Sequence, residues 1–318
     1  MRRLFITLLA CGLAASLQAQ DITLPNKDGS VKFLVIGDTG TGDNHQRDVA
    51  KALAGARAKF KYDFALMAGD NMYGGDTPRD YVNKFEGPYK PLLDGGVKFY
   101  AALGNHDDPN QRFYKPFNMN GERYYTFKAP NSSVRFFALD SNYMDDKQLQ
   151  WLDKELAASG SDWKIAYFHH PLYSSGSTHG SADVLRMQIE PMFVKYGVTV
   201  VFTGHEHFYE RIKPQKGITY FIGGSSAKLR VGDIIKTDLT AKGFDTGYTY
   251  TLVEIIGDDL MFQVLAPDGK TVDSGTIHKI DVKTPEGTRP ITTPATKAAT
   301  PAAPAAPAAA RPATPPTK

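Results

Sequence analysis

Cysteine is almost absent from this chain of 318 residues, in which Cys11 is the only one. It lies in a short apolar run, 4–15, that follows the basic start Met1-Arg2-Arg3. A basic start, an apolar run and a small residue at a cleavage point, here Ala19, are typical of a secretory signal peptide. The sequence therefore predicts a signal peptide over 1–19 and a secreted or periplasmic protein. Cleavage would leave no cysteine, which excludes a disulfide framework and thiolate metal ligands.

Long hydrophobic runs are also lacking. The N-terminal run is too short for a membrane-spanning helix, so we expect no transmembrane segment in the mature chain. The stretch Leu8-Leu9-Ala10-Cys11 resembles a bacterial lipoprotein processing site. Lipidation of Cys11 therefore stays open beside simple cleavage near Ala19.

A strong charge of either sign is missing as well. The formal net charge is only +3, and the cations of the two chain ends exceed it, so the rest of the chain carries a net charge of −3. These terminal cations are Arg2, Arg3, Arg289, Lys297, Arg311 and Lys318. A mildly acidic body lacks the basic surface that nucleic-acid binding requires, so we expect no nucleic-acid partner.

Aromatic residues are absent from 290–318, which consists of Pro, Ala and Thr with one isoleucine and a few cations. Such a segment cannot bury enough apolar surface to offset the entropy lost on ordering. We expect 284–318 to be a disordered, partly polyproline-like tail that acts as a spacer or as an inert end. The region 22–283 shows no repeat of fixed period and no internal boundary, and we interpret it as one domain.

Short apolar runs, each followed by a polar cluster, are the main pattern of this domain. Their length and their β-branched and aromatic residues predict buried strands. Helical spacing of apolar residues predicts helices over 44–60, capped by Asp43, and over 145–158. This alternation indicates an α/β fold, and antiparallel strands expected over 248–256, 260–265 and 271–277 make the sheets mixed. The main runs are 31–36 before Gly37-Asp38, 64–68 before Gly69-Asp70, 98–103 before Gly104-Asn105-His106-Asp107, 163–168 before His169-His170-Pro171, and 198–203 before Gly204-His205-Glu206-His207.

The polar clusters all follow strands, and ligands in open α/β sheets bind outside the carboxyl ends of strands. A single Gly-Asp pair is usually a turn and a lone histidine is usually structural, so the ordered set carries the inference. Aspartate, asparagine and histidine together favour a metal site with nitrogen and oxygen ligands. We expect the glycine before each cluster to allow a sharp turn.

The ordered set GD, GD, GNHD, His and GHxH resembles the calcineurin-like metallophosphoesterase family, and within it the purple acid phosphatases. The feature typical of that group is a tyrosine three residues after the second aspartate, here Tyr73 after Asp70. The resemblance covers roughly 31–280 and implies a four-layer α/β/β/α sandwich of two mixed sheets. It also implies hydrolysis of phosphate monoesters by a metal-bound hydroxide at a dinuclear site, with 22–283 as the catalytic domain.

The resemblance further implies a role for each motif residue. A hard phenolate and carboxylates favour Fe(III) at the first metal position, whereas imidazoles suit Fe(II), Zn or Mn at the second. His106 would contact the phosphoryl group. His179, which requires a one-residue insertion relative to the family pattern, would help to protonate the leaving group. The implied ligands are Asp38, Tyr73 and His207 for the first metal and Asn105, His169 and His205 for the second, with Asp70 bridging the two.

We expect three polar residues next to the motif ligands to have supporting roles and not to bind metal. We expect His170 to point to the face opposite that of His169, and Glu206 to form local hydrogen bonds. Asp107 is expected to orient His106 or a metal ligand.

Small-molecule phosphate esters are the expected substrates, with phosphoproteins as a further candidate, while the oligomeric state stays open. One alternative is a phosphodiesterase or nucleotide hydrolase that uses the same metals. Tyr73 favours monoesters, because several metallophosphoesterases without this tyrosine act on diesters. The other alternative is a non-catalytic secreted binding protein, which the complete ligand set disfavours.

Overall fold

Two β-sheets form the centre of the protein in a computed structural model, which describes residues 21–280. The predicted signal peptide and tail lie outside the described residues. The strands are β1 (Val31–Ile36), β2 (Phe64–Met67), β3 (Lys98–Ala101), β4 (Tyr125–Lys128), β5 (Val134–Ala138), β6 (Trp163–Tyr167), β7 (Val200–Thr203), β8 (Tyr209–Ile212), β9 (Thr219–Gly223), β10 (Thr240–Phe244), β11 (Tyr250–Ile256), β12 (Asp259–Leu265) and β13 (Thr271–His278). The helices are α1 (Asn44–Lys59), α2 (Pro78–Tyr81), α3 (Lys90–Asp94), α4 (Asp146–Ala158) and α5 (Asp183–Tyr196).

Both sheets are mixed. Sheet 1 has the strand order β13-β12-β11-β1-β2-β3, in which β1, β2 and β3 are parallel and β11, β12 and β13 are antiparallel. Sheet 2 has the order β10-β8-β9-β7-β6-β5-β4, in which β5, β6, β7 and β9 are parallel. The predicted strands and the antiparallel pairing near the C-terminus are confirmed.

Alternation along the strands produces four layers. On β1, Phe33 and Val35 are buried between the two sheets, whereas Leu34 and Ile36 pack under α1. Helices α1 and α3 contribute to the core on the outer face of sheet 1, and α4 and α5 cover the outer face of sheet 2. Because successive strand residues point to opposite faces, apolar runs such as β1 are covered on both sides. The α/β/β/α sandwich is thereby confirmed.

Helix boundaries follow the capping signals. The Asp43 side chain accepts a hydrogen bond from the Gln46 backbone N–H at the start of α1, and Asp145 caps α4 in the same way. Helix α5 was not predicted, although Leu185, Ile189 and Phe193 of this helix are buried. None of the helices within 21–280 is long and apolar enough to cross a membrane.

Aromatic side chains join the two sheets. The ring of Phe33 on β1 stacks on Phe64 of β2 at a centroid distance of 5.4 Å. Its edge contacts reach Phe136 at 5.2 Å and Phe202 at 6.3 Å, both on sheet 2. Aromatic pairs at these distances bury large areas and favour fixed geometries. This contact holds the two sheets in register behind the strand ends.

Candidate metal centre

All seven expected metal ligands lie together at the carboxyl ends of parallel strands. Sheet 1 contributes oxygen donors, since Asp38 follows β1, Asp70 and Tyr73 follow β2, and Asn105 follows β3. Sheet 2 contributes nitrogen donors, since His169 follows β6, and His205 and His207 follow β7. The parallel β1–β2–β3 and β6–β7 pairs bring these loops to one edge of each sheet.

A first group of donor atoms surrounds the phenol of Tyr73. The Tyr73 Oη lies 3.0 Å from Asp38 Oδ1 and 3.4 Å from His207 Nε2. The His207 Nε2 is also 3.4 Å from Asp38 Oδ1. Donor atoms of Asp38, Asp70 and His207 lie within 4.8 Å of one another, which is close enough for one cation to contact all three.

A second group surrounds the amide of Asn105. Its Oδ1 lies 2.9 Å from both His169 Nε2 and His205 Nδ1. The two imidazole nitrogens are 3.2 Å apart. Asp70 Oδ1 lies 3.4 Å from His169 Nε2, so the Asp70 carboxylate reaches both groups.

The orientation of His169 suits a metal ligand. Its Nδ1 lies 3.0 Å from the carbonyl oxygen of Ala68, which can only accept a hydrogen bond. Nδ1 therefore carries the proton, and the lone pair of Nε2 faces Asn105 and His205. A backbone carbonyl that fixes the tautomer in this way is common behind metal-bound histidines.

Three of the candidate ligands have left-handed backbone conformations. The φ angles are +55° for Asp38, +50° for Asp70 and +72° for His205. Such angles cost on the order of 1 kcal/mol or more per residue outside glycine and cluster at functional sites. Hydrogen bonds hold them, because Asp38 Oδ2 accepts from the His205 N–H and Asp70 Oδ1 accepts from the His106 N–H, each at 2.9 Å.

Glycines before the clusters act mainly through close approach. Of the four glycines, Gly69 alone has a positive φ angle, +87°, so at Gly37, Gly104 and Gly204 the backbone conformation does not require glycine. A Cβ at Gly104 would collide with the Asp70 carboxylate, and one at Gly204 with the Asp38 carboxylate. The absence of a side chain thus lets the carboxylates approach the neighbouring backbone.

The electrostatics of the site favour a bound cation. Burial and the nearby Asp70 charge raise the pKa of Asp38 well above its ordinary value. Burial and neighbouring imidazoles lower the pKa of His205 to about 2, and burial, Arg230 and Lys228 lower that of His207 to about 4. The imidazoles are therefore neutral, with lone pairs available, and the crowded oxygens repel one another when ionised. Cations offset that repulsion, so the residues present fit a pair of metal ions.

The two expected catalytic histidines border the cluster. His106 is exposed, with its ring centroid 4.9 Å from that of Tyr73. His179 is exposed as well, 4.3 Å from the ring of His205, and its Nε2 is 3.4 Å from Arg230 Nη2. Burial and then the Arg230 charge lower the pKa of His179. The catalytic roles of both residues stay predictions.

Other expectations near the site were wrong. His170 does not point away, because its ring lies 4.5 Å from that of His205, and its Nδ1 is 2.9 Å from Ser141 Oγ. Glu206 is fully buried and forms long-range contacts. It accepts hydrogen bonds from the Gly180 N–H at 2.7 Å and from Arg230 Nη1 at 3.4 Å. Glu206 thus joins the loop that carries His179 to Arg230.

Asp107 supports the metal ligands, the second of its two expected roles. Its carboxylate accepts hydrogen bonds from the backbone N–H groups of Gly104, Asn71 and Met72 at 2.8–3.0 Å, and from the Asn71 side chain at 2.9 Å. None of these bonds involves the His106 ring. They connect the loop after β3 to the loop between Asp70 and Tyr73. The ligands on both loops are positioned through their backbone.

Two cationic side chains near the site were not predicted from the sequence. The Lys228 Nζ lies 4.4 Å from the ring centroid of Tyr73, and Arg230 Nη2 is 3.5 Å from His207 Nδ1. Both follow β9, which is parallel to β7 and is followed by Gly224-Ser225-Ser226. This repeats the pattern of an apolar run before a polar cluster. The same signal marks β5, which precedes Asp140-Ser141-Asn142.

Known proteins resemble this chain in sequence. It is 28% identical to the human tartrate-resistant acid phosphatase type 5 over 256 residues, which covers 66% of this chain and 78% of the relative. It is 26% identical to purple acid phosphatase 17 of Arabidopsis thaliana over 284 residues, which covers 75% of this chain and 83% of the relative.

Solved structures share the fold. The purple acid phosphatase from yellow lupin (Lupinus luteus) seeds has a TM-score of 0.66 at 18% identity, with 80% of this chain and 55% of that chain covered. GAP50, the anchor in the inner membrane complex of Plasmodium, has a TM-score of 0.69 at 17% identity, with 80% and 90% covered. Residues 31–209, which include all seven candidate ligands, match the calcineurin-like phosphoesterases, and the chain belongs to that family.

Proposed function

We propose that this protein is a metal-dependent acid phosphatase that hydrolyses phosphate monoesters. One observation carries the proposal: the Tyr73 phenol lies against both Asp38 and His207, while Asp70 connects this group to the Asn105, His169 and His205 group. A phenol in this position distinguishes the site from one built of carboxylates, amide and imidazoles alone.

The relatives support the same activity. The human and Arabidopsis relatives are named as acid phosphatases, and the chain covers more than two thirds of each. The fold by itself decides less, because a Plasmodium anchor protein and a lupin phosphatase share it. The complete donor set therefore supports an enzyme more strongly than the architecture does.

The donor types support particular metals. Asp38, Tyr73 and Asp70 offer hard oxygen donors, which suit Fe(III) beside His207. The second group combines two imidazoles with one amide oxygen and suits Fe(II), Zn or Mn. When bound, such a pair lowers the pKa of water and stabilises the charge that develops during phosphoryl transfer.

Residues of the chain surround this centre with groups that recognise a phosphoryl dianion. Arg230 is held by Glu206 and Asp233, at 3.4 and 3.2 Å, and so presents its guanidinium beside His179 and His207. Lys228 adds a second positive charge over the Tyr73 ring. Fixed cations at a concave site attract and orient anionic substrates.

His106 and His179 are the candidate groups for contact with the substrate oxygens. They lie on different sides of the cluster, one beside Tyr73 and the other beside His205. His106 is assigned to the phosphoryl oxygens and His179 to the leaving oxygen, where an imidazole can donate a proton.

The test combines a visible absorption spectrum, a metal count and rates on a phosphate monoester and a matched diester. We expect two metal ions per chain, a broad visible band that is lost in Tyr73→Phe, and faster monoester hydrolysis. Tyr196→Phe is the matched control and should retain the band, because the Tyr196 hydroxyl at the end of α5 donates a hydrogen bond to Asp153 Oδ1 and to none of the candidate ligands. A colourless protein with two zinc or manganese ions would remove the Fe(III)–phenolate assignment. Failure to bind metal after reconstitution would overturn the enzyme assignment, and faster diester hydrolysis the monoester assignment.

We also propose that the protein is exported, on the basis of the basic start and the apolar run before Ala19. Mass spectrometry of the protein expressed in a bacterial host should find the mature chain beginning at Gln20. A lipid-modified Cys11 at the new N-terminus would point to anchoring, and an intact Met1 in the cytosol would contradict export.

A further inference from the structure

A cavity of about 650 Å³ adjoins the candidate metal centre and has no role in the account above. It begins at Asn105 and His170, next to the second group of ligand atoms. Its outer wall comes from the segment after β5 and from the first turn of α5. The main apolar residues of that wall are Tyr143, Met144, Val184 and Leu185.

The wall of this cavity offers no free charge to a ligand. No lysine or arginine is among the residues that line it within 21–280. Two of its carboxylates are engaged, since Asp140 pairs with Arg123 at 3.0 Å and Asp183 with Arg186 at 2.9 Å. The third, Asp107, accepts hydrogen bonds from backbone N–H groups. A second phosphate in the cavity would therefore have to compete with Asp140 and Asp183 for arginines that already pair with them.

The cations lie on another side of the centre. Lys228 contacts Tyr73, and Arg230 contacts His207 and His179, none of which lines the cavity. The site thus separates a cationic region, suited to the phosphoryl group, from a neighbouring cavity that has an apolar outer wall and no lysine or arginine in its lining within 21–280. Such a division is what a monoester with an uncharged organic group requires.

Two large apolar side chains at the cavity are exposed. Tyr143 is 60% exposed and Val184 is 68% exposed. Exposure of such side chains beside a polar centre is unfavourable unless a ligand covers them. An aromatic group in the cavity would bury apolar surface against these side chains.

We propose that this cavity binds the leaving group of the substrate and selects phosphate monoesters of aromatic or other apolar alcohols over esters whose leaving group carries further phosphates. This inference rests on the proposed phosphatase function. Aryl phosphates and phosphotyrosine have the required chemistry, whereas nucleoside triphosphates and glycerol phosphate lack it.

The experiment compares KM for phenyl phosphate, glycerol 2-phosphate and ATP in the wild-type protein and two variants, Tyr143→Ala and Val184→Asp. The wild type should have the lowest KM for phenyl phosphate. Each variant should raise that KM about five- to tenfold, because less apolar surface is buried, and change the KM for glycerol 2-phosphate less than twofold. Val194→Asp is the matched control, since Val194 lies on the same helix, is 40% exposed and does not line the cavity.

A binding measurement separates this inference from the proposed function. Calorimetry with phenylphosphonate and methylphosphonate, neither of which has an ester bond to hydrolyse, should show several-fold tighter binding of the phenyl compound, and Val184→Asp should abolish the difference. Equal affinities, or equal effects of Tyr143→Ala on aryl and glycerol esters, would overturn the cavity assignment even if phosphatase activity is present. Selective phenylphosphonate binding without hydrolysis would instead retain the cavity and reject the phosphatase.

Discussion

Sheet 1 and sheet 2 contribute different chemistry to the same site. The loops of sheet 1 carry the carboxylates, the phenol and the amide, whereas the loops of sheet 2 carry only imidazoles among the candidate ligands. Each group of donor atoms draws on both sheets, since Asp38 and Tyr73 meet His207, and Asn105 meets His169 and His205.

The site therefore forms only where the two sheets are in contact. Neither sheet alone assembles either group. A direct hydrogen bond crosses the boundary from the His205 N–H to Asp38 Oδ2, and the Phe33 cluster fixes the sheets behind it. Metal binding and packing between the sheets should therefore be coupled.

The largest effect is expected from Asp70→Asn, because Asp70 is the sheet 1 ligand that reaches both groups. The amide keeps the shape but loses the charge, so phosphatase activity should fall by about a thousandfold or more. Metal analysis should give one ion or fewer per chain. His170→Asn, which changes a neighbour of the site on sheet 2, should retain both ions. Two ions in Asp70→Asn would contradict a bridging role.

Phe33→Ala tests the contact between the sheets directly. Removal of this buried ring should lower the free energy of unfolding by about 3–5 kcal/mol and weaken zinc affinity, because the strand ends lose their common support. Phe60→Ala, which leaves a cavity on the outer side of sheet 1 at the end of α1, is the matched control. Denaturant unfolding and zinc titration should show similar destabilisation of both variants but weaker zinc binding only in Phe33→Ala. Equal zinc affinities would separate the site from the packing.

Asp107→Asn tests positioning within sheet 1 alone. The amide can accept fewer of the four N–H groups that Asp107 now binds, so the loops after β2 and β3 should loosen. Groups behind metal ligands typically change affinity or activity about 10–100-fold. We expect a loss in that range, measured as kcat/KM, together with weaker metal binding. Asp258→Asn, at an exposed ion pair with Lys279, should have neither effect.

The smallest effect is expected from Glu190→Gln on the outer face of sheet 2, and it concerns stability. Burial by itself raises the pKa of Glu190, but hydrogen bonds from Lys216, Tyr173 and Tyr220 outweigh it and lower the pKa below its ordinary value. A lowered folded-state pKa contributes stability above the unfolded pKa of about 4.3, and this stability is lost as pH falls through the folded pKa. Glu190→Gln should therefore cost about 1–2 kcal/mol at pH 7 and less near pH 3.

The Glu190→Gln variant also tests whether the outer face of sheet 2 acts independently of the metal centre. Denaturant unfolding of Glu190→Gln at both pH values should show the difference in stability, while metal content at pH 7 stays unchanged. The network on α5, β9 and the neighbouring loops belongs to sheet 2 but is separate from its imidazoles. A pH-independent loss would contradict the lowered pKa.

Much of the fold was accessible from local patterns. The capped start of α1 at Asp43 and the alternating burial of β1 follow from hydrogen-bonding and periodicity rules that act within a few residues. Helix α5 was missed, although its buried Leu185, Ile189 and Phe193 are helically spaced. Lys228 and Arg230 were missed because the loop that carries them lacks the histidines and aspartates that marked other strand ends. The segment after β5 was missed because its Asp140 follows a leucine, without the glycine that precedes Asp38 and Asp70.

The residue types that follow each strand are fixed by the sequence alone. They already predict a site of oxygen and nitrogen donors without thiolates. The tertiary structure decided the distances among those donors and turned His170 and Glu206 towards partners that their neighbours in sequence do not indicate. It also placed the cations of the loop after β9 and the cavity with the apolar outer wall on different sides of the centre. The physical reason is that chain-local forces set secondary structure, whereas contacts between donors from two sheets exist only once the aromatic core has packed those sheets together.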